Sequence, residues 1–385
     1  MTGSDTTNGG ALAGIRVLDL SRVLAGPWAT QMLADMGAEV IKIEHPERGD
    51  DTRGWGPPFV AEADGGRGDA AYFLCANRGK TSRGVDFTTA EGRAELLALA
   101  EKADVVVENY RPGGLEKYGL DYASLSAANP GLVYCSITGF GQTGPYAGRS
   151  GYDFLIQGMG GLMSITGTPE SGPLKVGVAV ADLMTGMYAA NAIVAALFHR
   201  QATGEGQYID LALLDCQVAM LANQGSNYLV GGKAPTMLGN AHPNIVPYEA
   251  FPTRDGHIIL AAGNDAQFAR FCECAGHAEW ATDPRFATNA DRVGNRAELT
   301  PLIGDVMRQR TTDEWLAALE AVNVPCGPVN TIDQVFADPQ VRHRGMLATL
   351  RRADGTEVPT IGNPIKFSKT PVRYERPPPR LDETD

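Results

Sequence analysis

The stretch KVGVAVADLMTGMYAANAIVAAL, residues 175–197, is a run of small and apolar residues with one carboxylate, Asp182, near its start. Its neighbours are Val178, Ala179, Val180, Ala181, Leu183 and Met184, and an ionised carboxylate among them loses much of its hydration. Two chemistries suit it. An aspartate in the first turn of a helix can bond free N–H groups and meet the positive end of the helix dipole. A carboxylate held there and partly dehydrated can also act as a nucleophile or base. The two readings are compatible, because capping geometry would keep the carboxylate ionised.

Other candidate groups stand in loops. GMGGLMSITGTPESG, 158–172, brings five glycines just ahead of the Asp182 stretch. It reads either as turn chemistry or as a cover over a pocket. It is neither a G-x-G-x-x-G run after a strand nor a P-loop, so nicotinamide-dependent oxidoreduction and nucleotide hydrolysis lose support. His45 and Arg48 follow AEVIKIE, Arg78 and Lys80 sit in ANRGKTS, and Arg111 and Lys117 follow ADVVVENY. Several of these fall at the carboxyl ends of expected parallel strands, where open α/β sheets bind ligands, and a phosphate-bearing ligand would use them. The six histidines show no metal-ligand spacing. His242, in GNAHPNIVPYEAF, is the best placed of them for function. No G-x-S-x-G elbow is present, which argues against a serine hydrolase.

These groups need a scaffold, and the pattern predicts one. GIRVLDLS reads as a strand, PWATQMLADMG as a helix opened by Pro27 and closed by Gly37, and AEVIKIE (38–44) as a second strand. SRGVDF (82–87), ADVVVENY (103–110) and LVYCSITGFG (132–141) are further strands. Between them lie the helix TTAEGRAELLALAEKA, capped by Thr88 or Thr89, and a helix in DYASLSAANP. Alternating strands and helices predict a large doubly wound, Rossmann-like α/β domain. The helical stretch 175–200 follows, then QYIDLALLDCQVAMLANQGSNYL, which begins as a strand and continues as a helix. From 247 the style changes to a hairpin around Asp255-Gly256 and helices such as TTDEWLAALEAV, with Thr312 as the cap. The expected division is 1–225 for the first part of the large domain, 226–330 for a small inserted α+β domain, and 331–385 for the return and tail.

Composition narrows the function classes. Hydrophobic residues make up 43% and charged residues 20% of the 385, as in an ordinary globular protein. The net charge of -12 argues against a nucleic-acid surface. Six scattered cysteines without a C-x-x-C pair are expected to be reduced thiols, as in the cytoplasm. The N-terminus MTGSDTTNGGALA does not read as a signal peptide, and no membrane span or metal site is expected.

With these residues in view, the chain resembles the class III coenzyme A transferases, which include formyl-CoA, carnitine and succinyl-CoA:dicarboxylate transferases and the related α-methylacyl-CoA racemases. The resemblance runs from about residue 13 to 370. It is carried by GIRVLDLSRVLAGPWATQMLADMGAEVIKIE, RGDDTRGWGPPF, NRGKTSRGVDF, ADVVVENYRPGGLEKYGL, SITGFGQTGPYAGRSGYD, the Asp182 stretch and VPCGPVNTIDQVFADPQVRHRGM, in that order. It implies that Asp182 is the nucleophile, forming a mixed anhydride with the donor acyl group and then an aspartyl-CoA thioester. The same resemblance implies a CoA site of Val23, Leu24, His45, Val85, Asn109, Tyr110, Arg111 and Lys117, with Tyr152 and Asp153 near the reacting end. It further implies a homodimer of interlocked rings, acyl-CoA and carboxylic acid as substrates, and no permanently bound cofactor.

Two departures refine the expectation. The racemases carry a histidine before the aspartate that matches Asp153, whereas this chain has Tyr152, whose phenol is a poor base near neutrality. Transfer is therefore favoured over racemisation. Formyl-CoA transferase has a four-glycine loop over its nucleophile. This chain instead has GGKAPTMLGNAHPNIVPYEAF in that neighbourhood, closer to the dicarboxylate-handling members. A dicarboxylate acceptor such as glutarate needs a cation for its distal end, and Arg53, Arg78 and Arg149 are the candidates.

Overall fold

The computed structural model describes residues 9–384. Its larger unit comprises the chain up to Leu162, Lys175–Ala222 and Pro339 onward. Six strands form its sheet: β1 (Arg16–Asp19), β2 (Glu39–Glu44), β3 (Lys80–Gly84), β4 (Val105–Glu108), β5 (Val133–Thr138) and β6 (Gln207–Ala212). All five pairings are parallel, in the order β6-β5-β4-β1-β2-β3. The order reverses between β1 and β4, which makes that pair of strand ends the switch point of a doubly wound sheet.

Helices cover both faces because the strands are apolar on both. Val17, Val105, Val107, Val133, Cys135 and Ile137 point into one core. They meet α1 (Ala25–Asp35) and α5 (Val180–Thr203) there. Leu18, Ile43, Val106 and Tyr134 point into the opposite core under α2 (Ala90–Ala100) and α3 (Tyr122–Ala128). Two shorter helices, α4 (Asp153–Met159) and α6 (Leu213–Ala219), complete the surroundings of the site.

Helix α5 is long and apolar enough, by length and composition, to cross a membrane. Its packing explains that composition without one: Ala181, Ala189, Ala190, Ile193, Ala196 and Leu197 are buried in the core. A Cβ on Gly186 would lie 2.7 Å from the Ala25 carbonyl and 3.0 Å from the Trp28 ring, so a bare α-carbon lets α5 cross α1 closely.

Several boundaries differ from expectation. β3 spans 80–84 rather than 82–87, so Lys80 is a strand residue rather than a loop cation. Thr89 caps α2 through the Gly92 N–H. In the smaller unit Thr311, not Thr312, caps the helix Thr312–Ala321, with Glu314 completing a capping box. The smaller unit holds Met163–Leu174 as well as Asn223–Asp338. Its division thus falls at 222/223 and 338/339, and part of the glycine-rich stretch lies outside the large unit. It has its own core around Phe251, Phe268, Phe271, Trp280 and Trp315, under the three-stranded antiparallel sheet of Tyr248–Pro252, His257–Ala261 and Cys326–Pro328.

Candidate active site

The loops leaving β1 and β4 lie side by side at the switch point. Asn109 ties them together, since its Oδ1 accepts the Arg22 N–H at 2.9 Å and its Nδ2 donates to the Arg22 carbonyl at 2.7 Å. The next residue, Val23, has φ +70°, a left-handed conformation that a β-branched residue rarely adopts. Strain of this kind costs about 1–3 kcal/mol and persists only where surrounding bonds impose it. Here the Val23 N–H donates to Asp50 Oδ2 at 3.2 Å, and Asp50 is held by the fully buried Lys42 at 2.9 Å. Burial alone would raise the Asp50 carboxyl. The Lys42 ammonium and the bonds from Thr52 outweigh it and bring it down to about 2.

Asp182 sits in the first turn of α5, but it does not cap the helix. The N-cap residue, Ala179, offers no side-chain bond. The free N–H groups are taken instead by Asp153, at the start of α4: its Oδ1 accepts from Ala181 at 2.8 Å and from Asp182 at 3.4 Å. Gln157 fixes that cap, donating to Asp153 Oδ2 at 2.7 Å while its own carbonyl accepts the Val176 N–H at 2.9 Å. The Asp182 carboxylate is thereby left to the cavity. Nor does the helix end keep it ionised as capping geometry would. Burial, and after it the Asp153 charge, push it up to about 7.

The cavity beside Asp182 has a volume of about 510 Å³. Of the residues expected to bind CoA, it gathers Val23, Leu24, Asn109, Tyr110, Arg111 and Tyr152 onto one wall with Asp182. His45 and Val85 line a smaller cavity of about 140 Å³, which shares Arg22 and Tyr110 with the first. Asp153 lies behind the wall as the cap just described. Lys117 lines neither cavity; its ammonium rests 4.7 Å over the Tyr118 ring, within the short turn Glu116–Tyr118. His242 belongs to the smaller unit, where its Nδ1 accepts the Asn244 N–H and its ring meets Tyr248.

Residues that sequence reasoning passed over also form the wall. Arg22 pairs with Asp51 at 3.4 Å, and both line the cavity. Ser150 accepts a bond from Arg111 at 2.8 Å and so fixes that guanidinium. The position of Arg22 directly after the first strand was the available signal. The capping role of Asp153 left none, because it acts across 28 residues of chain.

A parallel sheet with a dehydrated carboxylate and several guanidinium groups at its switch point defines an enzyme that handles an anionic ligand by nucleophilic or acid–base chemistry. The chain belongs to CoA-transferase family III, whose model matches residues 12–385, and it is a CoA-transferase. It is 57% identical over 372 residues to the succinate–glutarate CoA-transferase of Agrobacterium fabrum, covering 97% of this chain and 93% of that protein. It is 43% identical over 380 residues to the succinyl-CoA:glutarate CoA-transferase of Homo sapiens, covering 99% of this chain and 85% of that one. The crystal structure of a CAIB/BAIF family protein from Brucella suis superposes with a TM-score of 0.86 at 52% identity, covering 98% of this chain and 97% of that one.

Proposed function

We propose that this enzyme moves CoA between succinyl-CoA and a short dicarboxylate such as glutarate, with Asp182 as the nucleophile. The observation that carries the proposal is the placement of the Asp182 carboxylate, uncapped and part-buried, on the wall of the switch-point cavity. The Asp182 carboxylate attacks the thioester carbonyl, and CoA leaves as its thiolate. The mixed anhydride so formed is attacked by that thiolate at the aspartyl carbonyl, which releases succinate and leaves an aspartyl-CoA thioester. Glutarate then attacks the thioester, the thiolate leaves again, and it attacks the glutaryl carbonyl of the second anhydride. Glutaryl-CoA departs and the free carboxylate returns. Partial dehydration suits each step, because a hydrated carboxylate is a poor nucleophile and water would hydrolyse both intermediates.

The CoA moiety follows the two cavities that meet at Arg22 and Tyr110, with Arg111 and His45 toward its phosphates. Lys117 faces neither and is left out. Among the three candidates for the distal carboxylate, Arg53 is bonded to Glu44 and Asp69, and Arg78 is clamped by Asp35. Arg149 lies 5.2 Å from the Phe140 ring centre and 4.6 Å from that of Tyr146, on the Asp182 cavity, with no carboxylate partner among the described residues. It is the cation available to an incoming dicarboxylate. Arg149→Met is expected to raise KM at least about tenfold for glutarate and likewise for succinyl-CoA, whose own free carboxylate takes the same place, while inhibition by free CoA changes little, as steady-state kinetics would read. Inhibition by free CoA weakened to the same extent would assign Arg149 to CoA.

Among the described residues no histidine lines the Asp182 cavity, which leaves transfer favoured over an α-proton shuttle. The dimer belongs to the same proposal. On the outer face of α5, Met187, Tyr188, Val194 and Phe198 are exposed, the last at 75%, which fits a self-association surface. Light scattering on the purified protein reads the oligomeric state. Six unpaired cysteines fit a reducing, cytoplasmic setting.

The deciding experiment is the intact mass of the protein after brief exposure to succinyl-CoA, with Asp182→Ala in parallel. A CoA adduct on the wild type that maps to Asp182 and disappears on adding glutarate is the expected result. The same adduct on Asp182→Ala would move the nucleophile elsewhere. No adduct, with solvent deuterium entering the α-position of a branched acyl-CoA, would replace transfer by isomerisation.

A further inference from the structure

The carboxyl ends of β4, β5 and β6 carry a second site on the sheet face opposite Asp182. Strand register aligns Glu108 with Ser136 and Ser136 with Asp210, and two residues back it aligns Tyr134 with Tyr208. These side chains share a face because strand residues two apart point the same way. A cavity of about 260 Å³ opens there, lined by Glu108, Asp121, Gln142 and the rings of Tyr122, Tyr134 and Tyr208. The three rings form a continuous aromatic wall, with centroids 6.0, 5.4 and 5.8 Å apart.

The unusual member is Glu108. It is only 6% exposed, yet no cationic side chain pairs with it among the described residues. Its surroundings are neutral: Oε2 accepts the Tyr110 N–H at 2.7 Å, and the neighbouring Ser136 hydroxyl, which accepts from Gln142 Nε2 at 2.8 Å, works against the effect of burial on the carboxyl. Burial pushes the carboxyl up to about 7. A buried acid without a counter-ion is costly, and packing alone does not call for one. Arg111 also reaches this cavity, but its guanidinium donates to Ser150, which lines the Asp182 cavity instead. The remaining ionisable lining residues, Glu116 and Asp121, are acidic.

Aromatic faces and an unpaired carboxyl around a volume this small recognise one kind of ligand. We propose that the Glu108–Tyr122–Tyr134–Tyr208 cavity is a binding site for a small organic cation, an alkylammonium or guanidinium head group. The cation lies against the ring faces, with Glu108 as its counter-ion. The site is separate from the Asp182 cavity, from which the Arg111–Gly114 segment divides it.

Saturation-transfer NMR with tetramethylammonium chloride, at ionic strength held constant with sodium chloride, tests this on the whole protein. Saturable binding is expected in the wild type. Glu108→Gln keeps the side-chain shape and the acceptor for the Tyr110 N–H, and is expected to weaken binding at least about tenfold. Tyr208→Leu, which removes the exposed end of the aromatic wall, is expected to weaken it comparably. Unsaturable signal in the wild type, or one dissociation constant shared with Glu108→Gln, overturns the site. A wild-type constant that rises with protein concentration supports the site with an Arg or Lys side chain of a second copy as natural occupant. A constant independent of concentration supports it with a free solute.

Discussion

At the scale of the residue, Asp182 and Asp153 divide one task. A carboxylate must stand at the start of α5 to satisfy its free N–H groups, and a carboxylate must face the cavity to react. One aspartate in capping geometry would have its oxygens occupied by N–H donors, which lowers nucleophilicity. Supplying the cap from α4 releases Asp182 and places a second negative charge beside it. Both consequences appear in its pKa, raised to about 7 by burial first and Asp153 second. If Asp182 is the nucleophile, as proposed, it must be ionised to react, so kcat/KM is expected to fall as pH drops through about 7. Asp153→Asn keeps an oxygen to accept the Ala181 N–H but removes the charge. The acid limb is therefore expected to move to lower pH, with folding largely preserved. An unmoved limb would show that burial alone governs Asp182; a lost fold would show that the cap needs its charge.

At the scale of the element, the site depends on buried ion pairs that brace the β1 loop. Lys42 on β2 and Lys80 on β3 point inward at Asp50 and Asp19, and all four side chains are fully buried. Lys42 also donates to the Ser21 carbonyl at 2.9 Å, so a single ammonium holds both sides of the turn that forces Val23 into its strained conformation. Lys42→Met would leave Asp50 buried and unpaired, at a cost of about 3–5 kcal/mol. The expected result is a lowered denaturation midpoint, partly recovered in the double variant Lys42→Met/Asp50→Leu. No recovery would mean that the loop, not the lone charge, sets the loss.

The strands themselves were legible, since VVVE in β4 and VYCSIT in β5 are buried on both faces and read as continuous apolar runs. Lys42 and Lys80 were not. A lysine in a strand reads as solvent-facing, and its buried partners stand elsewhere in the sequence. The same holds for the candidate site. The β1 and β4 loops follow from strand order, and Asp182 follows from its apolar neighbours. The cap from Asp153, the commitment of Arg53 and Arg78 to internal carboxylates, and the turning away of Lys117 all depend on packing that no spacing encodes.

At the scale of the molecule, a protein with net charge -12 binds a substrate that is itself an anion. Two opposing fields act on the incoming ligand. The overall charge repels it, while in the proposed site Arg22, Arg111 and Arg149 on the large cavity, with Arg48 on the smaller, attract it. Distance decides between them. Between 0.1 and 1 M salt the screening length falls from about 10 to about 3 Å. Charges spread over a protein of this size are already screened at the lower end of that range, whereas contacts inside the cavity are not. Over this interval kcat/KM for the acyl-CoA substrate is therefore expected to fall with added salt, and Arg111→Met is expected to flatten the slope. The initial-rate dependence on sodium chloride concentration measures both. A rate that rises with salt would mean that net charge dominates and that the cavity arginines are neutralised by their own neighbours, as Arg22 is in part by Asp51.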